Sequence, residues 1–276
     1  MNIHFWGVRG SIASPGPSTA KYGGNTMCIT ISLDQENTLV LDAGTGLYRF
    51  GQEATRGPHT YYFLISHVHW DHIGGFPMFR PHMNKDVSIQ LLSEMHPELA
   101  DLFLSQLDGI HFPIRRDEVC ATIEENPDVN GSLGKFGLEV SWIRVNHSGT
   151  CFGYRISNDS NSVVYITDHE IDATRNENAS FEQLAEFCSG ADVLIHDAQY
   201  TDDEIQTKCG WGHSSVNRVC DLASAADVGR LVLCHHDPLR TDSELDQIAE
   251  DVRAFLEASG APCASDVAYE GMEIPF

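Results

Sequence analysis

Short apolar runs broken by turn residues set the pattern of this chain. Residues 3–8 read as a first strand, and residues 27–33 and 38–41 as a hairpin. The run Tyr61-Tyr62-Phe63-Leu64-Ile65 reads as a buried strand, as do residues 191–195; residues 138–145 alternate as a strand, and residues 87–92, 151–157, 162–167 and 230–234 read as further strands. Between them, residues 181–188 and 214–226 follow helical periodicity, the second with His213 or Ser214 near its cap. Residues 243–258 form a final amphipathic helix with Leu245, Ile248, Ala249, Val252 and Phe255 on one stripe. A further helix starts at Pro97, and residues 76–79 form a short one stopped by Pro81. Residues 109–137 give no clear pattern. The alternation describes an α/β chain. With no repeat, low-complexity stretch or composition break, residues 1–276 read as a single domain.

The residues that carry chemistry lie just past the ends of these strands. His67-Val68-His69-Trp70-Asp71-His72 places four potential metal ligands within six residues, directly after a buried strand. Four such groups do not fit one tetrahedral ion, so two adjacent ions are the easier geometry. Imidazole and carboxylate donors suit zinc, iron or manganese. The bland alternative, a His-rich surface loop, is a poor account of this density. Gly74 and Gly75 then let the backbone turn sharply. Other strands end the same way, at His147, Asp168, His196 and His235. Polar residues gathered at the carboxyl ends of several strands describe an active-site rim. Asp42, between a strand and a glycine-rich turn, either caps local amides or supports the metal loop.

Composition narrows the function classes. The 276 residues are 42% hydrophobic, which is ordinary for a folded chain. No apolar run reaches the roughly 18 residues of a membrane span, and the first residues show no signal-peptide core, so the expected location is cytoplasmic. With 17 Lys and Arg against 40 Asp and Glu, the formal net charge is −23. That field weighs against a large nucleic-acid partner, yet two bound dications can reverse it locally for a small anion. Eight cysteines without a Cys-x-x-Cys pair fit a reduced compartment.

The series His67-Val68-His69-Trp70-Asp71-His72, His147, Asp168 and His235 resembles the metallo-β-lactamase superfamily. The resemblance implies an αββα sandwich of two mixed sheets flanked by helices. It implies that His67, His69 and His147 hold one metal, that Asp71, His72 and His235 hold the other, and that Asp168 bridges them. The adjacent His235 and His236 leave the last ligand ambiguous by one residue. Leu41-Asp42-Ala43-Gly44-Thr45-Gly46, His196-Asp197-Ala198-Gln199-Tyr200 and Gly212-His213-Ser214-Ser215 are similar to motifs of the superfamily's phosphodiesterase branch, with Asp197 where Glu is usual. That branch includes ribonuclease Z and cyclic-phosphate phosphodiesterases. No Cys follows Asp168 as in true β-lactamases. His169 stands where a small hydroxyl residue is common, and the 20 residues between His147 and Asp168 leave no room for ribonuclease Z's tRNA-gripping arm.

The implied activity is phosphodiester hydrolysis on a small or cyclic substrate. Two divalent ions, zinc before manganese or iron, would bring a bridging water toward neutral pKa. Asp71 would orient the nucleophile. His213, held by Asp197, would protonate the leaving alkoxide. A homodimer is compatible with this reading. The rivals are a thioester or lactone hydrolase of the same fold, ribonuclease Z-like tRNA processing, an iron-bound redox enzyme, and a metal-binding regulatory module.

Overall fold

A computed structural model describes residues 1–54, 57–173, 178–260 and 263–276. In chain order its strands are β1 (Asn2–Gly7), β2 (Cys28–Ser32), β3 (Asn37–Leu41), β4 (His59–Leu64), β5 (Val87–Leu92), β6 (Thr122–Asn126), β7 (Glu139–Arg144), β8 (Phe152–Ser157), β9 (Ser162–Ile166), β10 (Val193–Asp197), β11 (Arg230–Cys234), β12 (Ala264–Val267) and β13 (Glu273–Pro275). The α-helices are α1 (Gly46–Glu53), α2 (Trp70–Ile73), α3 (Leu99–Leu104), α4 (Val129–Leu133), α5 (Phe181–Cys188), α6 (Asp202–Lys208), α7 (Val216–Ala225) and α8 (Asp242–Ser259). The chain divides into two compact units whose segments interleave along the sequence.

The first unit comprises Met1–Ala13, Asn25–Phe136 and Glu270–Phe276. Its seven-stranded sheet runs β13-β1-β2-β3-β4-β5-β6. β1, β2 and β3 pair antiparallel, whereas β3 through β6 pair in parallel. β3 and β4 are buried at all but one position each and read as apolar runs, whereas β5 alternates buried with half-buried positions and β6 has no fully buried position. Phe63, Phe76, Phe79 and Phe103 form the aromatic heart of its core. Residues 76–78 and 80–83 are separate 3-10 turns, with Pro81 inside the second rather than ending the first, because proline suits the first turn of a helix.

The second unit comprises Ser14–Gly24 and Gly137–Tyr269, with a six-stranded sheet ordered β12-β11-β10-β9-β8-β7. β9, β10, β11 and β12 are parallel, and β7 and β8 join antiparallel. β9 and β10 are buried at every position. α5, α7 and α8 cover the sheet with Leu184, Val219, Leu222, Leu245, Val252 and Leu256. α5 and α8 each start at a reciprocal cap: Ser180 with Gln183, and Thr241 with Glu244. α8 ends at Gly260 in the left-handed conformation. The two sheets are thus both mixed and both flanked by helices. In each, the parallel strands end where the candidate residues begin.

Candidate metal centre

In the first unit β4 delivers His67 and His69 on the loop past Leu64, and α2 is a single turn carrying Asp71 and His72. Their donor atoms converge in pairs. His67 Nε2 lies 2.9 Å from His69 Nδ1, and His72 Nε2 lies 3.2 Å from Asp71 Oδ2. The opposite ring nitrogens are anchored. Asp42, buried at the end of β3 with φ 56°, accepts from Ser66 N–H at 2.7 Å, Ser66 Oγ at 2.8 Å and His72 Nδ1 at 2.8 Å. Since the Ser66 proton goes to Asp42, its oxygen accepts from His67 Nδ1–H at 3.1 Å. Both imidazoles are therefore held with Nε2 as a lone pair, the tautomer a metal requires. Asp71 Oδ2 also accepts from the Ser11 amide at 2.7 Å.

Gly74 and Gly75 have ordinary negative φ, so a sharp turn is not the reason for them. Close approach is the reason. A Cβ on Gly75 would sit 1.9 Å from the Gly44 carbonyl oxygen, and one on Gly44 would sit 2.1 Å from the Asp71 carbonyl oxygen.

In the second unit Asp168 and His235 stand at the ends of β9 and β11, both with positive φ, at 45° and 57°. Such conformations cost about 1–3 kcal/mol each and persist where the surroundings over-determine them. One carboxylate meets two imidazoles here. Asp168 Oδ1 lies 3.0 Å from His235 Nε2, and Oδ2 lies 3.6 Å from His147 Nε2. His147 donates through Nδ1 to the Gly212 carbonyl at 3.0 Å, and His235 donates through Nδ1 to Gln199 Oε1 at 3.0 Å. Both again present Nε2 as a lone pair. His235 is thus the residue that faces Asp168, whereas His236 donates to the Ala268 carbonyl.

His213 donates through Nδ1 to buried Asp197 Oδ2 at 3.0 Å, and its ring stacks on His235 with centroids 5.0 Å apart. The cap of α7 is Ser215, so His213 is not a helix-cap residue. Asp197 is fixed in turn by the amides of Gln199 and His169. His169 is buried, and burial, reinforced by neighbouring His196, holds its pKa well below the ordinary imidazole range. Its Nδ1 accepts from the Asn146 amide. His196 donates through Nδ1 to the Asp197 carbonyl.

Several supports carried no sequence signal. His96 is buried and donates to the Ser66 carbonyl at 3.0 Å, bracing the loop from behind. Burial lowers its pKa and keeps it neutral. Gln199 and Glu170 bond groups far along the chain. The donor set of each unit fits a divalent cation: nitrogen and carboxylate oxygen throughout, with every anchored imidazole turned toward its neighbours' donors.

A family model described as the beta-lactamase superfamily domain matches residues 37–236. The chain belongs to the metallo-β-lactamase superfamily. Ribonuclease Z of Haloarcula marismortui is 21% identical across 99% of this chain and 96% of that protein. Ribonuclease Z of Thermoplasma volcanium is 37% identical, but over only 29% of this chain and 26% of that protein. A crystal structure of a diphosphatase from the PhnP family superposes with a TM-score of 0.67 at 14% identity, covering 100% of this chain and 97% of that one. The fold is therefore the metallo-β-lactamase fold. Among the described residues no helix is long and apolar enough to cross a membrane.

Proposed function

We propose that the chain binds two divalent ions and hydrolyses a small or cyclic phosphodiester. His67, His69 and His147 would hold one ion, Asp71, His72 and His235 the other, and Asp168 would serve both. Zinc suits the donors best, with manganese or iron as alternatives. Such a pair, when bound, supplies Lewis-acid neutralisation of phosphoryl charge and acidifies a shared water. The observation that carries the reading is the Asp197–His213 pair stacked on His235. With its Nδ1–H donated to Asp197, His213 in the imidazolium form would pass its Nε2 proton to the oxygen leaving phosphorus. A thioester hydrolase needs no such donor, because a thiolate leaves unprotonated. The relatives' name favours a second reading, tRNA processing. The charge of −23 opposes it, because tRNA affinity draws on cationic phosphate contacts.

Leaving-group dependence tests the proposal. An alkoxide must be protonated as it leaves, whereas a nitrophenolate departs unaided. His213→Ala should cost about 100-fold or more on a cyclic ribose phosphodiester, the usual scale for a lost general acid. On bis(p-nitrophenyl) phosphate the loss should be much smaller, with metal content unchanged. Equal losses on both substrates would remove the general-acid role. Efficient 3′-end cleavage of tRNA with no turnover of small diesters would favour the second reading.

A further inference from the structure

Glu170 lies two residues past Asp168, is 5% exposed, and bonds no basic side chain among the described residues. Its carboxylate instead grips the backbone of a distant loop. The Gly210 amide donates to both oxygens, at 2.8 and 2.9 Å, and the Gly212 amide donates to Oε2 at 3.0 Å. The loop needs that hold, because Gly210 and Gly212, at φ of 86° and 85°, are glycines with many other conformations open to them. What the loop does is specific. The Gly212 carbonyl accepts the Nδ1 proton of His147, and the next residue is His213. The fit at Gly212 is tight: a Cβ there would sit 2.1 Å from His147 Nδ1.

We propose that Glu170 is a positioning residue that sets the 210–213 loop and, through it, aims a metal-binding imidazole and the proton donor together. The loop's carbonyl fixes the His147 tautomer, so Nε2 stays a lone pair. The same loop delivers His213 onto Asp197. One buried carboxylate thus couples metal affinity to proton delivery. The role of His213 in this inference rests on the phosphodiesterase reading; the hold on the loop and on His147 does not.

The test compares the full-length protein with Glu170→Ala and Glu170→Gln in three readouts. The first is tryptic cleavage after Lys208, which enters the loop, followed by mass spectrometry. The second is zinc affinity by competition with a chromophoric chelator. The third is kcat and KM on a cyclic ribose phosphodiester and on bis(p-nitrophenyl) phosphate. Glu170→Ala should speed cleavage after Lys208 at least about 10-fold and weaken zinc binding about 10- to 100-fold, the scale for losing a ligand's anchor. At saturating zinc its kcat should fall more on the cyclic substrate than on the nitrophenyl one, with little change in KM. Glu170→Gln should recover part of each, since one amide oxygen can still accept from both glycines. Faster proteolysis with unchanged zinc affinity and unchanged kcat ratio would make Glu170 a plain loop anchor and overturn the proposal, as would no change in any readout. If Glu170→Ala does not fold, the Gln variant decides by the same measures. If the parent protein turns over neither diester, the functional reading fails while proteolysis and zinc affinity still judge the positioning claim.

Discussion

Asp42 holds three donors in a space closed to water, and removing it strands all three. A buried donor left unpaired costs about 1–3 kcal/mol. Asp42→Ala should therefore destabilise the chain by several kcal/mol in denaturant unfolding and weaken zinc binding roughly 10- to 100-fold. Asp42→Asn, which keeps one acceptor oxygen, should cost less in both. Unchanged zinc affinity in the Ala variant would mean that His72 does not depend on this anchor. The sequence showed Asp42 as either a local cap or a support, and its bonds to Ser66 and His72, 24 and 30 residues away, are those of a support. It showed His67, His69, Asp71 and His72 because spacing alone brings them together, and Asp168 and His235 because buried strands stop at them. Glu170, His96 and Gln199 stayed hidden for one reason. Each acts on a group 30 or more residues away, usually a backbone atom, which leaves no spacing to read.

Elements with a buried stripe were legible, and elements held by their backbone alone were not. The stripe of α8 emerged as expected, with Leu245, Val252 and Leu256 buried and Ile248, Ala249 and Phe255 packed at the margin. Leu245→Ala should cost about 2–5 kcal/mol in a denaturation curve, the range for deleting a buried leucine side chain. A loss below about 1 kcal/mol would show that the helix does not pack as described. α6 escaped prediction although Thr201 and Glu204 form its capping box, because Asp202–Lys208 buries no residue and so has no apolar period. β6 is an edge strand of sequence Thr-Ile-Glu-Glu-Asn with no fully buried position. β12 and β13 are similarly short edges. Such strands exist through pairing with a neighbour, which no single segment announces.

At the scale of the whole chain, charge and buried imidazoles govern how stability responds to solution conditions. A net charge of −23 repels itself, and salt shortens that repulsion from a Debye length of about 10 Å at 0.1 M to about 3 Å at 1 M. The melting temperature should rise between these concentrations of NaCl at constant pH; a fall would show that attractive ion pairs outweigh the net repulsion. Burial lowers the pKa of His82, His96 and His196 below the ordinary 6.5, so the unfolded chain binds their protons first. Their contribution to stability is full above about pH 6.5 and is lost as pH falls toward the lowered values. Metal-free, chelated protein should therefore unfold at lower denaturant at pH 5.5 than at pH 7.5, and equal midpoints would contradict the neutral buried state. All eight cysteines are free, so disulfide reduction plays no part in these measurements.

The measurement closest to the central claim combines elemental analysis with turnover of bis(p-nitrophenyl) phosphate, on chelator-free protein and on Asp168→Ala. Since one carboxylate offers an oxygen to each of two imidazoles, its loss should empty the centre rather than trim it. The expected result is two divalent ions per chain with measurable hydrolysis in the parent protein, and most of the metal and the activity gone in the variant. Full metal occupancy and full activity in Asp168→Ala, or undiminished hydrolysis by metal-stripped parent protein, would contradict it.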